Sequence, residues 1–371
     1  MRENFNIDTP KDFDVVFNEK TQEWVLRPIK GFSEIHSDEI TFIPSKERMK
    51  TEKKSTKNKN ANLHSAKRLK DDEFYTTIDD IQNELSHYKK FFKDKVVYCP
   101  CDKVFNRGRS EFFNYFAALF QDLGLKKLIC TQFNPAGNGS VIEIDKDIFK
   151  GKGLKWEYNG EYECLSHIDE SKVNTFLLKG NGSFDSDECY KIMNEADIIV
   201  TNPPFSLFRN FVNQLVSLGK KFLIIGNKNA ITYKEIFPLI KENKLWLGYY
   251  SPTNFKTPEE AITKKVNGLC RWFTNLEHDK RSEELYCGET YSEEKYPKYD
   301  NYDAIEVSKV CEIPKDYDGI MGVPITFLDN YNPSQFEIVG LDRYVEDNPH
   351  YGKRFTINNR ETYARILIRK K

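Results

Sequence analysis

"EADIIVTNPPFSLFRNF", residues 195–211, drives a short apolar run straight into Asn202-Pro203-Pro204-Phe205. Neither proline carries an amide donor and both have a locked φ, so the tetrapeptide is a device for holding a few groups still. On either side, apolar runs alternate with helical patterns. Strands are expected at "KVVYCPCD" (95–102), "KKLICT" (126–131), "TFLLKG" (175–180), "DIIVT" (197–201), "KFLIIG" (221–226) and "LWLGYY" (245–250). Ile78, Ile81, Leu85, Tyr88 and Phe92 fall at helical spacing, and "SEFFNYFAALFQDLG" (110–124) is an apolar helix with Ser110 as N-cap and Gly124 as stop. Further helices are expected near 186–195, 206–218 and 233–242. Such alternation predicts an α/β fold with a mostly parallel, doubly wound sheet covered on both faces. Ligands of such sheets bind beyond the carboxyl ends of the strands, which places the site at the ends of "VVYC" and "DIIVT".

The flanks read differently. "DFDVVF" and "EWVLRPI" suit a small hairpin within an N-terminal β-like extension, 1–44, and "GSVIEID" with "KWEYNGEYEC" suits a β insert at about 138–165 turning at Asn159-Gly160. Residues 45–70 are rich in Lys, Asn and Ser, and serve either as a solvated flexible tether or as a basic tail that grips phosphates. The catalytic unit is expected over 71–250. Beyond 251 the alternation stops in a long polar, aromatic segment suited to recognition, and 251–371 forms the expected target-recognition region with terminal strands packing on the core.

The chain has 371 residues, 39% apolar and 30% charged, with a net charge of -1. A near-neutral balance gives no whole-molecule pull toward nucleic acid, so any such binding uses a local basic surface. The N-terminus has no apolar signal-peptide core, and no run approaches the roughly 20 residues of a membrane helix. A cytoplasmic protein without membrane contact is expected. The 8 cysteines include no CxxC pair, and no HxxxH occurs, so no metal site is expected.

The chemistry of the tetrapeptide follows from its acceptors. The Asn202 amide oxygen and the Pro203 carbonyl make two acceptors in a locked geometry, which suits an exocyclic amino group with two N–H bonds. Phe205 is placed to cover the flat face of the same base. Accepting both hydrogens favours a pyramidal nitrogen whose lone pair attacks an electrophile in line. A dry, preorganised pocket strengthens that effect. A base inside a duplex cannot reach such a pocket and must be flipped out.

"TNPPF" resembles the [NDS]-P-P-[YFW] motif of S-adenosylmethionine-dependent amino methyltransferases. With "DDEFYT" (71–76), "VVYCPCD" (96–102), "ADIIVTNPPFS" (196–206), "RWFTNL" (271–276) and "YARILIRK" (363–370), the chain is similar to the EcoRI-type adenine-specific DNA methyltransferases from about residue 71 onward. The resemblance implies a Rossmann-like methyltransferase fold with a C-terminal target-recognition region. It implies transfer of a methyl group from S-adenosyl-L-methionine to adenine N6 in double-stranded DNA. It leaves open whether a cognate restriction endonuclease exists as partner, and a monomer is expected. Asn202, Pro203, Pro204 and Phe205 then form the catalytic loop. Phe74, Tyr75 and Thr76 pack on the cofactor's methionine part, and Cys99, Pro100, Cys101 and Asp102 replace the usual Gly-rich turn, with Asp102 either pairing the methionine amine or capping the strand end. Where the family carries an acidic residue two after a glycine, this chain has Ser183. Phe184 and Asp185 follow it, and either Asp185 or a backbone group meets the cofactor's adenine. No acidic residue after "KKLICT" is assigned to the ribose. Asn254, Lys256, Arg271, Trp272 and Lys280 are candidate DNA contacts, with Trp272 equally suited to the core. NPPF alone is shared with RNA and protein-glutamine methyltransferases, which stand as alternatives. The long polar segment argues against a short peptide substrate.

Overall fold

The structure, a computed structural model, describes residues 75–102, 110–134, 151–160, 174–256, 263–265, 268–345 and 352–371, with the backbone of 13–18 and 23–28. Strands β1 (Phe13–Asn18) and β2 (Glu23–Pro28) pair antiparallel with one another, as the two short runs predict. Residues 45–70 and Phe74 lie outside the described residues, as do 138–150 and 161–170.

After β3 (Tyr75–Thr76), the amphipathic pattern makes helix α1 (Ile78–Leu85), continued by a 3-10 turn over Ser86–Phe91. Ile81, Leu85, Tyr88 and Phe92 are fully buried, as their spacing requires. Strand β4 (Val96–Cys99) is followed by α2 (Glu111–Ala118) and α3 (Phe120–Leu123), one apolar run broken at Leu119. The Ser110 hydroxyl accepts from the amides of Phe112 and Phe113, at 3.1 and 3.4 Å. Gly124 closes the run in the left-handed region at φ 61, where glycine carries no Cβ penalty.

Next in the chain come β5 (Lys127–Gln132), β6 (Leu154–Tyr158), β7 (Asn174–Leu177), α4 (Asp187–Glu195), β8 (Ile198–Thr201), α5 (Phe208–Ser217) and β9 (Lys221–Asn227). They lead to α6 (Phe237–Lys241), β10 (Trp246–Leu247), β11 (Asn254–Lys256), β12 (Thr263–Lys265) and β13 (Cys270–Thr274). The eight-stranded sheet runs β10-β13-β9-β8-β4-β5-β6-β7. Its centre, β9-β8-β4-β5, is parallel, while β6, β7, β13 and β10 pair antiparallel.

Two sequence expectations change here. Residues 154–158 are not an excursion, because β6 extends the main sheet beside β5. "RWFTNL" is not outside the catalytic unit, because β13 pairs with β9 through Trp272↔Ile225. Alternate residues of the strands feed separate cores on the two faces. Tyr98, Ile129, Ile199, Phe222 and Ile224 pack on one side. Val97, Leu128, Ile198, Leu223 and Ile225 pack on the other. Both faces are therefore covered, as continuous apolar strands demand.

The C-terminal sheet consists of β14 (Ile305–Glu306), β15 (Met321–Pro324), β16 (Phe336–Leu341) and β19 (Arg365–Lys370), with a hairpin of β17 (Thr356–Ile357) and β18 (Arg360–Glu361) beside it. Met321, Val323, Ile338, Ile366 and Ile368 belong to the same buried cluster as Tyr98, Ile199 and Phe222. The C-terminal strands thus share one core with the central sheet.

Candidate active site

The strand order reverses at β4, which has β8 on one side and β5 on the other. In an open α/β sheet the crevice at this switch point is the ligand site. By that rule the site lies between the end of β4 and the end of β8. The Thr201 hydroxyl donates to the Pro100 carbonyl across the crevice floor. The Asp102 amide donates to the Thr131 carbonyl at 2.9 Å. Both strand ends are therefore tied down where they meet the site.

From β8 the chain enters the rigid tetrapeptide. Pro203 is buried, and Asn202, Pro204 and Phe205 are half-buried. Phe205 opens a 3-10 turn over Phe205–Leu207, closed by the Leu207 amide donating to Pro204 at 3.0 Å. Part of the Phe205 ring packs on the cluster holding Ile225, Phe255 and Trp272. The Asn202 amide nitrogen donates to the Thr76 hydroxyl at 3.3 Å. An Asn amide has two donors on nitrogen and an acceptor on oxygen. Holding its nitrogen on Thr76 therefore sets which way its oxygen faces. Thr76 is only 4% exposed and lies on β3, which pairs with β11 through Phe255↔Thr76.

On the other lip, Cys99 and Pro100 are buried and Cys101 adopts φ 60. A left-handed backbone lets the loop turn sharply where a glycine would otherwise serve. Burial pushes the Cys101 thiol up to about 12, with Cys189, Asp102 and Asp185 adding repulsion. The Asp102 loop and the Asp185 loop therefore both lie near the Cys101 sulfur. Asp102 is 7% exposed, whereas Asp185 is exposed and accepts from the Ser183 hydroxyl. Phe184 is buried instead, edge-on to Phe211 at 4.9 Å, with its carbonyl accepting from Gln214. It anchors the Asp185 loop and presents no open face. Of Tyr75 only the backbone is described. A buried carboxylate at a strand end with a second carboxylate beside it suits a ligand carrying an ammonium group and N–H donors, so the residues present fit the amino-acid part and the purine of S-adenosylmethionine.

The family model described as adenine-specific methyltransferase EcoRI matches residues 62–371. The chain belongs to that family. It is accordingly a site-specific DNA methyltransferase, adenine-specific by the family's description. It is 44% identical over 328 residues to the type II methyltransferase M.EcoRI of Escherichia coli, which covers 83% of this chain and 96% of the relative. The type II methyltransferases M.MpnI of Mycoplasma pneumoniae and M.MgeORF184P of Mycoplasma genitalium are 38% and 37% identical, each covering 83% of this chain and 98% of the relative. No described helix is long and apolar enough to cross a membrane.

The DNA contacts expected of this EcoRI-type methyltransferase are redistributed by the fold. Trp272 is fully buried in the core between sheet and helices. The Arg271 guanidinium is 8% exposed and bridged to both oxygens of Asp329, at 2.9 and 3.1 Å. Neither has a free surface to offer a nucleic acid, because β13 is an interior strand. Lys280 is half-buried and donates to the Tyr249 carbonyl at 3.2 Å. Asn254 is half-buried on β11, and the Lys256 side chain lies outside the described residues.

Sequence reasoning missed the residues that hold this strand. Asp80 accepts from the amides of Thr253 and Asn254, at 3.1 and 2.8 Å. Glu84, one helical turn on, accepts from the amides of Tyr249 and Tyr250 and from the Tyr88 hydroxyl, at 2.9, 2.8 and 3.0 Å. Burial pushes the Glu84 carboxyl up to about 7 against the pull of those donors. The only signal in the sequence was a pair of acids at i, i+4 among apolar positions, which reads equally as a solvated helix face.

Proposed function

We propose that this methyltransferase transfers a methyl group from S-adenosyl-L-methionine to the N6 amino group of an adenine flipped out of double-stranded DNA. The observation that carries the reading is the Asn202 amide, held by Thr76 at the switch-point crevice with its rigid prolines. When bound, the cofactor supplies an electrophilic sulfonium methyl. Asp102 pairs the cofactor's ammonium group, and Asp185 accepts from its purine amine. The Asn202 oxygen and the Pro203 carbonyl accept the two N6 hydrogens, and Phe205 covers the base. With the cofactor bound, the N6 lone pair would form the new N–C bond as the methyl–sulfur bond broke, and the surplus N6 proton would leave to solvent. Accepting both hydrogens before the attack stabilises charge where it develops and needs no reorganisation. Asn254 and Lys256 are retained as proposed contacts on the DNA side, because β11 lies directly beside β3 and so beside the catalytic loop.

Mass spectrometry of nucleosides from DNA and RNA of an expressing host tests the substrate. N6-methyladenine that rises in DNA with the active chain, and not with Asn202→Ala, is expected. A mark confined to RNA, or placed on cytosine, overturns the reading.

A further inference from the structure

Cys99 closes β4, and Cys130 stands opposite it on β5 in the parallel register. Residues facing one another on neighbouring strands point to the same face of a sheet, and both sulfurs belong to one buried cluster. Asp102 follows three residues after Cys99, and its backbone is pinned to Thr131, the neighbour of Cys130. The two sulfurs and a carboxylate oxygen of Asp102 lie within 4.8 Å of one another, and all three residues are buried. Tetrahedral zinc, with bonds of about 2.3 Å to sulfur and about 2.0–2.2 Å to oxygen, sets its ligand atoms about 3.5–4 Å apart. The triad's spacing is within about 1 Å of that geometry.

We propose that Cys99, Cys130 and Asp102 form a binding site for a thiophilic divalent cation of the zinc and cadmium class at the floor of the crevice. Two thiolates select a soft ion over magnesium or calcium. Each thiol releases its proton to solvent as its metal–sulfur bond forms. Three protein ligands leave a fourth position for water. A carboxylate held by a cation is lost to an ammonium group, so cation and cofactor exclude one another. This second consequence rests on the cofactor role proposed for Asp102, and the cation site itself does not.

The test is a titration of the reduced, chelator-treated full chain with Cd2+, followed by thiolate-to-cadmium charge-transfer absorption. One equivalent is expected to bind. Cys99→Ala and Cys130→Ala are each expected to weaken binding at least about tenfold and to halve the absorption. Asp102→Asn, nearly isosteric, is expected to weaken binding while leaving the absorption intact. Cys287→Ser and Cys311→Ser are expected to change nothing. No uptake by the wild-type chain, or absorption that survives the Cys99→Ala/Cys130→Ala double variant, overturns the site. Saturating S-adenosylmethionine is expected to raise the apparent Cd2+ dissociation constant about tenfold, the signature of a shared Asp102. If the cofactor binds and leaves the Cd2+ affinity unchanged, the exclusion falls while the cation site stands. If the metal-free chain does not bind the cofactor at all, the cofactor reading falls instead.

Discussion

Thr76 and Asn202 are separated by 126 residues, yet one hydrogen bond between them sets the amide on which the proposed chemistry depends. Thr76→Val keeps the shape and removes the acceptor. The expected result is a fall in kcat of about 10–100-fold, equivalent to about 1.4–2.7 kcal/mol of barrier, with the cofactor KM within about twofold of wild type and recovery in Thr76→Ser. If Thr76 instead packs on the methionine part, as the resemblance implies, steady-state kinetics will show a raised cofactor KM and an unchanged kcat. The Asn-Pro-Pro-Phe loop itself was legible in the sequence, because two prolines after a buried strand leave few other readings. The Thr76 contact was not, since nothing local to "FYT" records a partner on another strand.

Helix α1 holds the segment that follows β10 through two carboxylates. Asp80 and Glu84 together take the amides of Tyr249, Tyr250, Thr253 and Asn254, so the segment from β10 to β11 hangs on one face of one helix. Gly248 lets that segment pass: a Cβ there would stand 2.7 Å from the Glu84 carboxyl carbon and 2.8 Å from the Trp272 Cβ. Both neighbours are fully buried. Gly248→Ala is expected to destabilise by about 1–3 kcal/mol, read as a lowered Tm. An unchanged Tm would mean that the segment is free to move away from α1. The parallel strands β4, β5, β8 and β9 were legible because buried parallel strands read as unbroken apolar runs. The antiparallel direction of β6, β7, β10 and β13 was not, because strand direction depends on a partner distant in sequence. "RWFTNL" misled for the same reason. Its arginine is neutralised by Asp329, 58 residues away, and its tryptophan fills the core behind α2, edge-on to Phe112 at 6.2 Å.

The central sheet and the C-terminal strands share one buried cluster, so the family-matched region is expected to unfold as a unit. A chain reduced to residues 62–371, the span matched by the family model, is expected to methylate a short duplex within about threefold of the full chain. A larger loss would give the first 61 residues a part in catalysis. Stability should also carry the mark of His278, 7% exposed, whose Nε2 donates to the Leu247 carbonyl at 2.8 Å. Burial lowers its pKa from 6.5 to about 4. The folded state therefore keeps it neutral while the unfolded chain protonates, so its contribution is complete above pH 6.5 and is lost as pH falls toward 4. The stability difference between wild type and His278→Gln should grow by on the order of 3 kcal/mol between pH 4 and 6.5 and stay flat above. A difference independent of pH would show the imidazole to be solvated. Single-turnover methyl transfer by Asn202→Ala tests the proposed role of the crevice amide most directly. A rate lowered about a thousandfold, with cofactor and DNA affinities unchanged, is the predicted result. A rate within about tenfold of wild type would contradict it.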